Sequence, residues 1–550
     1  MSNVRSDAFK KRIVYQIYPM SFCDSNNDGY GDINGIISKL DYLKDLGVGI
    51  IWLSPIYKSP LKDNGYDISD YYDINPIFGT MEDFDNLIQE AEKRDIKIVM
   101  DLVINHTSNE HDWFKEAIAN PGSKYRDYYY FAKGTKTKAP NNWNSAFTGS
   151  CWTKVPNEDD TYYLHLYTKE QIDLNYHSEE LIKEIEKILK FYLDKGVYGF
   201  RCDVINQIYK TSLENGKFSI LNRGKEHYVN QEGCHMVLRR FYDDVLSKYD
   251  TFLVGETGMV TPEIANRYIS NNELDTMFEF DHANCDTSSL IPILPKKFKM
   301  TNLLTPIFDW QEKVKWVSVY LENHDQRRSV SRYGNDKKYH DESAKALAIL
   351  LLTLRGTTYI YQGEEIGMTD YHNYSIEDVD DCATKYALET AKKILFFLPK
   401  KYLFKLLHKT HNRDNARSPM QWDSSINAGF NSGHKTWLKV NENYNEINVK
   451  KQIDDPNSIL NFYKKLIEFK TNSPILLYGD FKLIESNNKY AIFERVYHGE
   501  SLLILLNLNP KKVKCKALSN LYLDKVLFNS TKGFDTKYLL PYQAIIYRKD

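Results

Sequence analysis

Short β-type runs alternate with amphipathic helical stretches along most of this 550-residue chain, and this alternation limits the folds open to it. The β-type runs, rich in β-branched and aromatic residues, lie at 13–19, 50–55, 98–106, 199–205, 252–257, 277–282, 316–325 and 357–362. Helical patterns separate them, among them 33–46, 81–94, 179–195, 234–248 and 342–354. Gly47, Gly196 and Gly356 follow three helical stretches, where a left-handed C-terminal cap is expected. Eight strands with interleaved helices predict the α/β class and a (β/α)8 TIM barrel.

Two stretches break this alternation and predict further domains. Residues 107–175 are rich in Asn, Gly, Lys and aromatics, which indicates a small domain inserted after strand three. A partly helical excursion covers 363–449, and a helix at 459–469 closes the barrel. The short alternating runs after 474 indicate a C-terminal all-β sandwich. The predicted domains are therefore a barrel of 1–106 and 176–474, an insert of 107–175 and a sandwich of 475–550.

The charge balance narrows the range of partners. Lys and Arg total 72 against 74 Asp and Glu, so the formal net charge is -2. This gives no electrostatic case for nucleic acid or for an anionic membrane, and we expect neither as a partner. Seven scattered cysteines without metal-type spacing indicate free thiols in a reducing compartment. The N-terminus has no apolar signal region, so we expect a cytoplasmic protein. The oligomeric state is open, with a monomer favoured. We expect no organic cofactor.

Three of the β-type runs carry an acid at or near their carboxyl ends: Asp203, Glu256 and Asp325. Strand ends converge on one face of a parallel barrel, and that face carries the chemistry. Cleaving a glycosidic bond with retention needs one ionised and one protonated carboxyl about 5–5.5 Å apart. Arg201 lies on the same side of its strand as Asp203 and would keep it ionised, while burial and nearby anions would raise the pKa of Glu256. A lone acid at a strand end is more often a cap or an ion pair, but three together favour catalysis.

Two histidines share this position. His106 and His324 each follow an asparagine and end a β-type run, so contacts with sugar hydroxyls are expected of them. His111, His165 and His177 lack that support and are interpreted as structural.

The motifs occur in the order of a known family. They include Asp63-Asn64-Gly65-Tyr66-Asp67 and the run from Arg413 to Trp422. With the acid motifs, they make the chain resemble the α-amylase family of glycoside hydrolases, family 13, in its oligo-1,6-glucosidase (α-glucosidase) branch. The resemblance implies that Asp203 is the nucleophile, Glu256 the acid/base and Asp325 the carboxylate that stabilises the distorted sugar. It also implies a pocket for a terminal glucose, lined by Asp63, Tyr66, His106, Phe147, Arg201, Val204, His324 and Arg413.

The run from Asp24 to Asp32 places oxygen ligands at alternate positions around a glycine turn. Such a loop can wrap a hard cation such as Ca²⁺. It resembles the start of an EF-hand, but Gly35 stands at position twelve in place of the bidentate Glu. An Asx-rich turn without metal is the alternative. By resemblance to the family branch, a structural Ca²⁺ or Mg²⁺ is expected on Asp24, Asn26, Asp28, Tyr30 (through its backbone) and Asp32.

The substrate remains open between related activities. Val204 accompanies action on α-1,6 bonds in the resembling enzymes, but trehalose-6-phosphate hydrolases also carry valine there. Glucosyl transfer and sucrose isomerisation would use the same acids. A catalytically inactive, transporter-associated binding subunit is disfavoured because all three acids are present. The chain departs from the family pattern on the acceptor side, at 217–235, at 257–259 and at Arg327.

Overall fold

A computed structural model describes residues 6–147, 149–219, 222–288, 294–433 and 435–549. Its centre is a parallel eight-stranded barrel, which confirms the predicted fold class. The strands are β1 (Ile13–Ile17), β2 (Val48–Leu53), β3 (Lys97–Leu102), β4 (Gly199–Cys202), β5 (Phe252–Glu256), β6 (Thr276–Phe278), β7 (Ser318–Val319) and β8 (Thr357–Tyr361). Their hydrogen-bonded order is β6-β5-β4-β3-β2-β1-β8-β7. The ring closes through Thr276, whose hydroxyl lies 3.2 Å from the Trp316 carbonyl and 3.1 Å from the Ser318 hydroxyl.

Among the described residues, eight helices of seven residues or more surround the barrel. They are α1 (Leu40–Leu46), α2 (Met81–Glu92), α3 (Glu179–Asp194), α4 (Glu232–Asp244), α5 (Pro262–Ser270), α6 (Met300–Lys313), α7 (His340–Thr353) and α8 (Ile459–Thr471). In α3, buried side chains recur at helical spacing, and the Ser178 hydroxyl caps the N-terminus by accepting from Leu181 N–H. Gly47, Gly196 and Gly356 all have the expected positive φ, at 92°, 99° and 124°.

Two elements differ from the sequence prediction. The stretch 33–46 forms a short helix, Ile33–Ile37, and then α1, because the Ser38 hydroxyl bonds the Gly35 carbonyl at 2.7 Å between them. The β-type run 316–325 pairs only at β7, and residues 320–325 leave the ladder as a loop. That loop carries His324 and Asp325 inward over the barrel.

The inserted segment begins with a strand pair, His106–Ser108 with Gln171–Asp173, and a helix, Asp112–Ala119. A three-stranded antiparallel sheet follows, with Thr161–Leu164 between Phe131–Lys133 and Trp152–Lys154. Its aromatic core extends beyond the insert, because Trp143 stacks near His227 and donates from Nε1 to the Glu214 carbonyl at 2.8 Å. The insert therefore packs against the loop between β4 and α4. The predicted domain boundaries remain predictions.

The excursion after β8 contains the helices Cys382–Ile394, Lys400–His408, Asp414–Arg417 and Val449–Ile453. After the helix Pro474–Tyr478, a five-stranded antiparallel sheet is formed in the order β9 (Asp480–Ser486), β10 (Ala491–Tyr497), β11 (Glu500–Leu506), β13 (Ala544–Lys549) and β12 (Val526–Asn529). A strand pair, Val513–Lys514 with Tyr538–Leu539, completes the C-terminal unit. Buried Arg495 fixes this unit to the barrel by donating to the Thr353 carbonyl at 2.7 Å.

No disulfide bond joins the seven cysteines, all of which lie in the described ranges, and six of them are buried. Across the described ranges, no helix combines the length and the apolar character needed to cross a bilayer.

The first residue of β4 tests how tightly the barrel is packed. A Cβ on Gly199 would lie 1.8 Å from the carbonyl oxygen of Phe252 on β5. Gly199→Ala must therefore push apart the two strands that carry Asp203 and Glu256. We expect a loss of about 1–3 kcal/mol in the free energy of unfolding, measured by denaturant titration. Gly122→Ala is the control, because its added Cβ meets only the Asn120 side chain at 3.5 Å. Equal stability of the two variants would contradict this account.

Candidate active site

Arg201 is the centre of the site, at the carboxyl end of β4. Its Nη1 lies 2.6 Å from Asp203 Oδ1 and 2.7 Å from Asp101 Oδ1, and its Nη2 lies 2.8 Å from Glu256 Oε1. The Arg201 side chain is only 2% exposed. One buried guanidinium thus connects carboxyl groups from three adjacent strands, β3, β4 and β5.

Asp203 and Glu256 bind the same guanidinium, Asp203 at Nη1 and Glu256 at Nη2. This shared contact fits the short carboxyl separation of retaining glycosidases, about 5–5.5 Å, and not the 6.5–9.5 Å or so of inverting ones.

Val204 holds the second oxygen of Glu256. Its backbone N–H donates to Glu256 Oε2 at 3.1 Å. The backbone here is left-handed, with φ 37° and ψ 38°, an unfavourable region for a β-branched residue. Such strain costs about 1–3 kcal/mol and concentrates at functional sites. Here the strained turn directs an amide at one of the two central acids.

Burial separates the protonation behaviour of the two acids. It raises the pKa of Glu256 to about 8; the charge of Arg201 opposes the rise, whereas those of Asp203 and Asp325 add to it. Burial raises the pKa of Asp203 to about 6, again against Arg201. Near neutral pH, Glu256 therefore holds a proton and Asp203 is mainly ionised. The sequence predicted these two protonation states, although the pKa of Asp203 is higher than that of an exposed aspartate.

Asp325, in the loop after β7, faces two arginines. Its Oδ1 lies 2.8 Å from Arg417 Nη2 and 3.2 Å from Arg413 Nη1. Burial opposes ionisation of Asp325, but its interactions with His324, Arg413 and Arg417 outweigh burial and hold its pKa well below the usual range. Burial lowers the pKa of neighbouring His324 to about 3, so that imidazole is neutral and the arginines supply the charge. Asp325 is a permanent anion in this site.

His324 and Tyr66 form a polar stack on one wall. Gln16 Nε2 donates to His324 Nδ1 at 2.7 Å, so the imidazole proton is on Nε2, which lies 2.7 Å from the Tyr66 hydroxyl. Tyr66 in turn donates to Asp101 Oδ2 at 3.1 Å, and its ring stacks on His324 at 5.4 Å. These contacts fix both rings.

A salt-bridged group closes the far end of the site. Arg413 Nη2 lies 3.0 Å from Asp63 Oδ1, and its Nε lies 2.7 Å from Asp381 Oδ1. His106 donates from Nε2 to the Tyr66 carbonyl at 3.0 Å, and Gln171 links this part to Asp63 at 3.2 Å.

Phe147 stands beside this closed end. The Phe147 ring centroid lies 5.9 Å from the Arg413 guanidinium carbon and 5.8 Å from the ring centroid of Tyr167. Phe147 is half-buried, as a pocket wall would be. The structure thus brings all the predicted catalytic and substrate residues together around Arg201 and Arg413.

Several residues of the site were not predicted as such. They are Asp101, Gln171, Asp381, Cys382 and Arg417. A signal existed for two of them: Asp101 interrupts an otherwise apolar strand, and Arg417 follows Arg413 by one helical turn. Asp381 and Cys382 lie in a helical excursion whose contact with the barrel face has no sequence signature.

The predicted metal loop lies outside this site. Asp24 Oδ1 accepts from the N–H groups of Asn26 and Asn27 at 3.1 and 2.7 Å, and Asp28 Oδ1 accepts from Tyr30 N–H at 2.9 Å. Asp32 caps the helix Ile33–Ile37 by accepting from Gly35 N–H at 2.6 Å. The oxygens suit a hard cation, and in this structure they accept hydrogen bonds from backbone N–H groups. Among the described residues there is no cluster of three or more His, Cys, Asp or Glu able to hold a metal. The ion remains a prediction.

Comparison with known proteins agrees with this geometry. The model of the α-amylase catalytic domain matches residues 16–479. An oligo-1,6-glucosidase of Parageobacillus thermoglucosidasius is 46% identical over 92% of this chain and 91% of its own. The crystal structure of Bacillus licheniformis trehalose-6-phosphate hydrolase is similar with a TM-score of 0.91 and 39% identity, covering 98% and 99% of the two chains. Isomaltulose synthase from Klebsiella sp. LX3 gives a TM-score of 0.94 and 35% identity, covering 99% of each. The chain therefore belongs to the α-amylase family of glycoside hydrolases.

Proposed function

We propose that this chain is an exo-acting, retaining α-glucosidase that releases terminal glucose from short α-1,6-linked oligosaccharides of the isomaltose type. The observation that carries the proposal is the contact of one buried arginine, Arg201, with both Asp203 and Glu256. The names of the relatives support the linkage, since oligo-1,6-glucosidases match over more than nine-tenths of the chain. The cysteines, none of which is in a disulfide bond, support a cytoplasmic site of action.

The protonation states allow a double displacement. Asp203 attacks the anomeric carbon while the bond to the leaving oxygen breaks and Glu256 gives that oxygen its proton. Positive charge grows on the sugar in this transition state, and the permanent anion Asp325 stabilises it. The first step thus gives a covalent intermediate, in which the glucosyl group forms an ester with Asp203. Glu256, now a carboxylate, takes a proton from water, which attacks the same carbon and restores Asp203 as the leaving group.

The closed end of the pocket supports exo action. Asp63 and Arg413 are held by each other and by Asp381, so this end presents fixed polar groups rather than an open groove. A terminal glucose can offer hydroxyls to both, whereas a longer chain has no passage there.

Val204 supports the choice of linkage. Its amide contacts the proton donor Glu256, which places Val204 beside the departing sugar. A β-branched side chain is stiff and narrows this passage. An α-1,6 acceptor hangs on a flexible CH₂ linker and can swing past, whereas an α-1,4 acceptor brings its ring against the wall.

Trehalose-6-phosphate is the second candidate substrate, because a basic loop containing Lys217, Arg223, Lys225 and His227 lies on the acceptor side. Two of these residues have local partners. Arg223 Nε donates to the Ser219 carbonyl at 3.1 Å, and His227 Nδ1 lies 2.9 Å from the Ser212 hydroxyl. These partners support a structural role for the two residues in preference to a phosphate site.

The pKa values of the two acids predict the pH dependence of catalysis. The ratio kcat/KM should follow a bell with apparent limits near 6 and 8, macroscopic values that belong to the coupled pair. Activity falls on the acid side as Asp203 is protonated and on the basic side as Glu256 loses its proton. Glu256→Gln should retain the acid limb of this profile and lose the basic limb. The assay uses an aryl α-glucoside, because its leaving group needs no proton. A basic limb that persists in this variant would assign it to another group.

The proposed glucosidase function and its preference for α-1,6 bonds can be tested together. Wild type should favour isomaltose over maltose in kcat/KM and release α-glucose first. Val204→Ala should raise the maltose-to-isomaltose ratio about tenfold, the lower end of what one or two methyl groups contribute to selectivity. Val245→Ala, a buried valine at the end of α4, is the control for stability. Panose, sucrose, trehalose and trehalose-6-phosphate complete the panel. A wild type that acts only on trehalose-6-phosphate, or that prefers maltose, would refute the proposed linkage.

We also propose that the loop from Asp24 to Asp32 binds Ca²⁺ and acts structurally. Binding to the folded state alone stabilises it by about 2.7 kcal/mol at a hundred times the Kd. A chelator should therefore lower the Tm, and Asp28→Ala should make the Tm independent of added Ca²⁺. Asp159→Ala, at an exposed acid of the insert, should keep the dependence. A Tm that is unchanged in chelator, with no metal found by elemental analysis, would exclude the site.

A further inference from the structure

The helices Cys382–Ile394 and Lys400–His408 form a hairpin on the barrel surface. Its facing sides have a core of their own, made by Leu388, Ala391, Leu403, Phe404 and Leu407. We call residues 394–402 the hairpin tip. The apolar surface that the two helices need for packing is therefore already used, and apolar residues of the tip need another explanation.

The tip exposes large apolar side chains. Ile394, Phe396, Phe397 and Tyr402 are 69%, 74%, 68% and 52% exposed. The turn is not loose, because Lys392 Nζ donates to the carbonyls of Phe396 and Leu398 at 2.8 and 3.0 Å. Large exposed apolar patches on a folded surface mark interaction sites.

Lysines surround this patch. From Thr390 to Asn412 the sequence contains six lysines and neither Asp nor Glu. Lys400 pairs with Glu389 at 2.7 Å, just before this stretch, whereas Lys401 and Lys405 form no ion pair with any acid in the described ranges. The net charge of -2 for the whole chain hides this local excess of positive charge.

We propose that the hairpin tip docks the protein on an anionic membrane surface. Aromatic and aliphatic side chains enter the boundary between headgroups and acyl chains, and the surrounding lysines meet lipid phosphates. A second copy of this chain fits less well, because a twofold contact through the tip would set the lysines of one copy against those of the other. The expectation of no membrane partner rested on the whole-chain charge, which does not describe this patch.

The position of the tip leaves the pocket free. Cys382, at the other end of the first hairpin helix, contacts Asp63 in the glucose pocket through its thiol at 3.1 Å. A helix of thirteen residues is about 20 Å long. The tip can therefore lie on a membrane while the pocket stays open to solvent. This inference is independent of the substrate proposed above.

Vesicle co-sedimentation tests the proposal. The full chain should bind vesicles of phosphatidylglycerol and phosphatidylcholine in equal parts, but not vesicles of phosphatidylcholine alone. Binding should weaken in high salt, because the Debye length falls from about 10 Å at 0.1 M to about 3 Å at 1 M. Phe396→Ser with Phe397→Ser, and separately Lys401→Gln with Lys405→Gln, should each weaken binding about tenfold or more.

Matched controls use exposed residues elsewhere. Tyr522→Ser with Leu523→Ser removes two equally exposed apolar side chains, and Lys511→Gln with Lys512→Gln removes two lysines, both from the C-terminal unit. These controls should bind like wild type, and glucosidase activity without vesicles should be unchanged in every variant. Failure of the wild type to bind anionic vesicles, or equal loss in tip and control variants, would overturn the proposal. A concentration-dependent dimer in sedimentation velocity that disappears in Phe396→Ser with Phe397→Ser would instead assign the tip to a second copy.

Discussion

The site depends on one buried cation. Arg201 contacts Asp101, Asp203 and Glu256, which come from three neighbouring strands and are themselves largely buried. Without it, three carboxyl groups would face one another in a low-dielectric interior, and removing one partner of a buried ion pair costs about 3–5 kcal/mol. Arg201 therefore supports the barrel end as well as the chemistry.

Burial and charge act in opposite directions on the acids, and their balance assigns the roles. Burial dominates at Glu256, which keeps a proton near neutral pH, and arginine charge dominates at Asp325, which cannot hold one. Asp203 lies between these limits. The proposed acid, the proposed nucleophile and the permanent anion are thus the same type of functional group in different surroundings.

The excursion after β8 connects this site with the surface. Its segments supply Asp381, Cys382, Arg413 and Arg417 to the closed end of the pocket. The helical hairpin of this excursion, Cys382–Ile394 with Lys400–His408, also carries the apolar, lysine-rich tip to solvent. The proposed substrate contacts and the proposed membrane contact therefore belong to separate ends of one structural element, so each can be changed by mutation without the other.

The sequence by itself determined the barrel and the placement of its acids. Strand and helix periods are local, and the carboxyl ends of parallel strands must meet on one face, so Asp203, Glu256 and Asp325 could be grouped before any coordinates. The contact of Arg201 with Asp203 also followed from the period of two along β4, but only the tertiary structure decided the other contacts of these acids. Arg201 and Asp101 are 100 residues apart, and Arg413 and Asp63 are 350 apart. No local pattern encodes such pairs, because they form when the strands are registered and the excursion packs on the barrel. The left-handed backbone of Val204 and the short β7 arise in the same way, since tertiary packing overrides local preference at both.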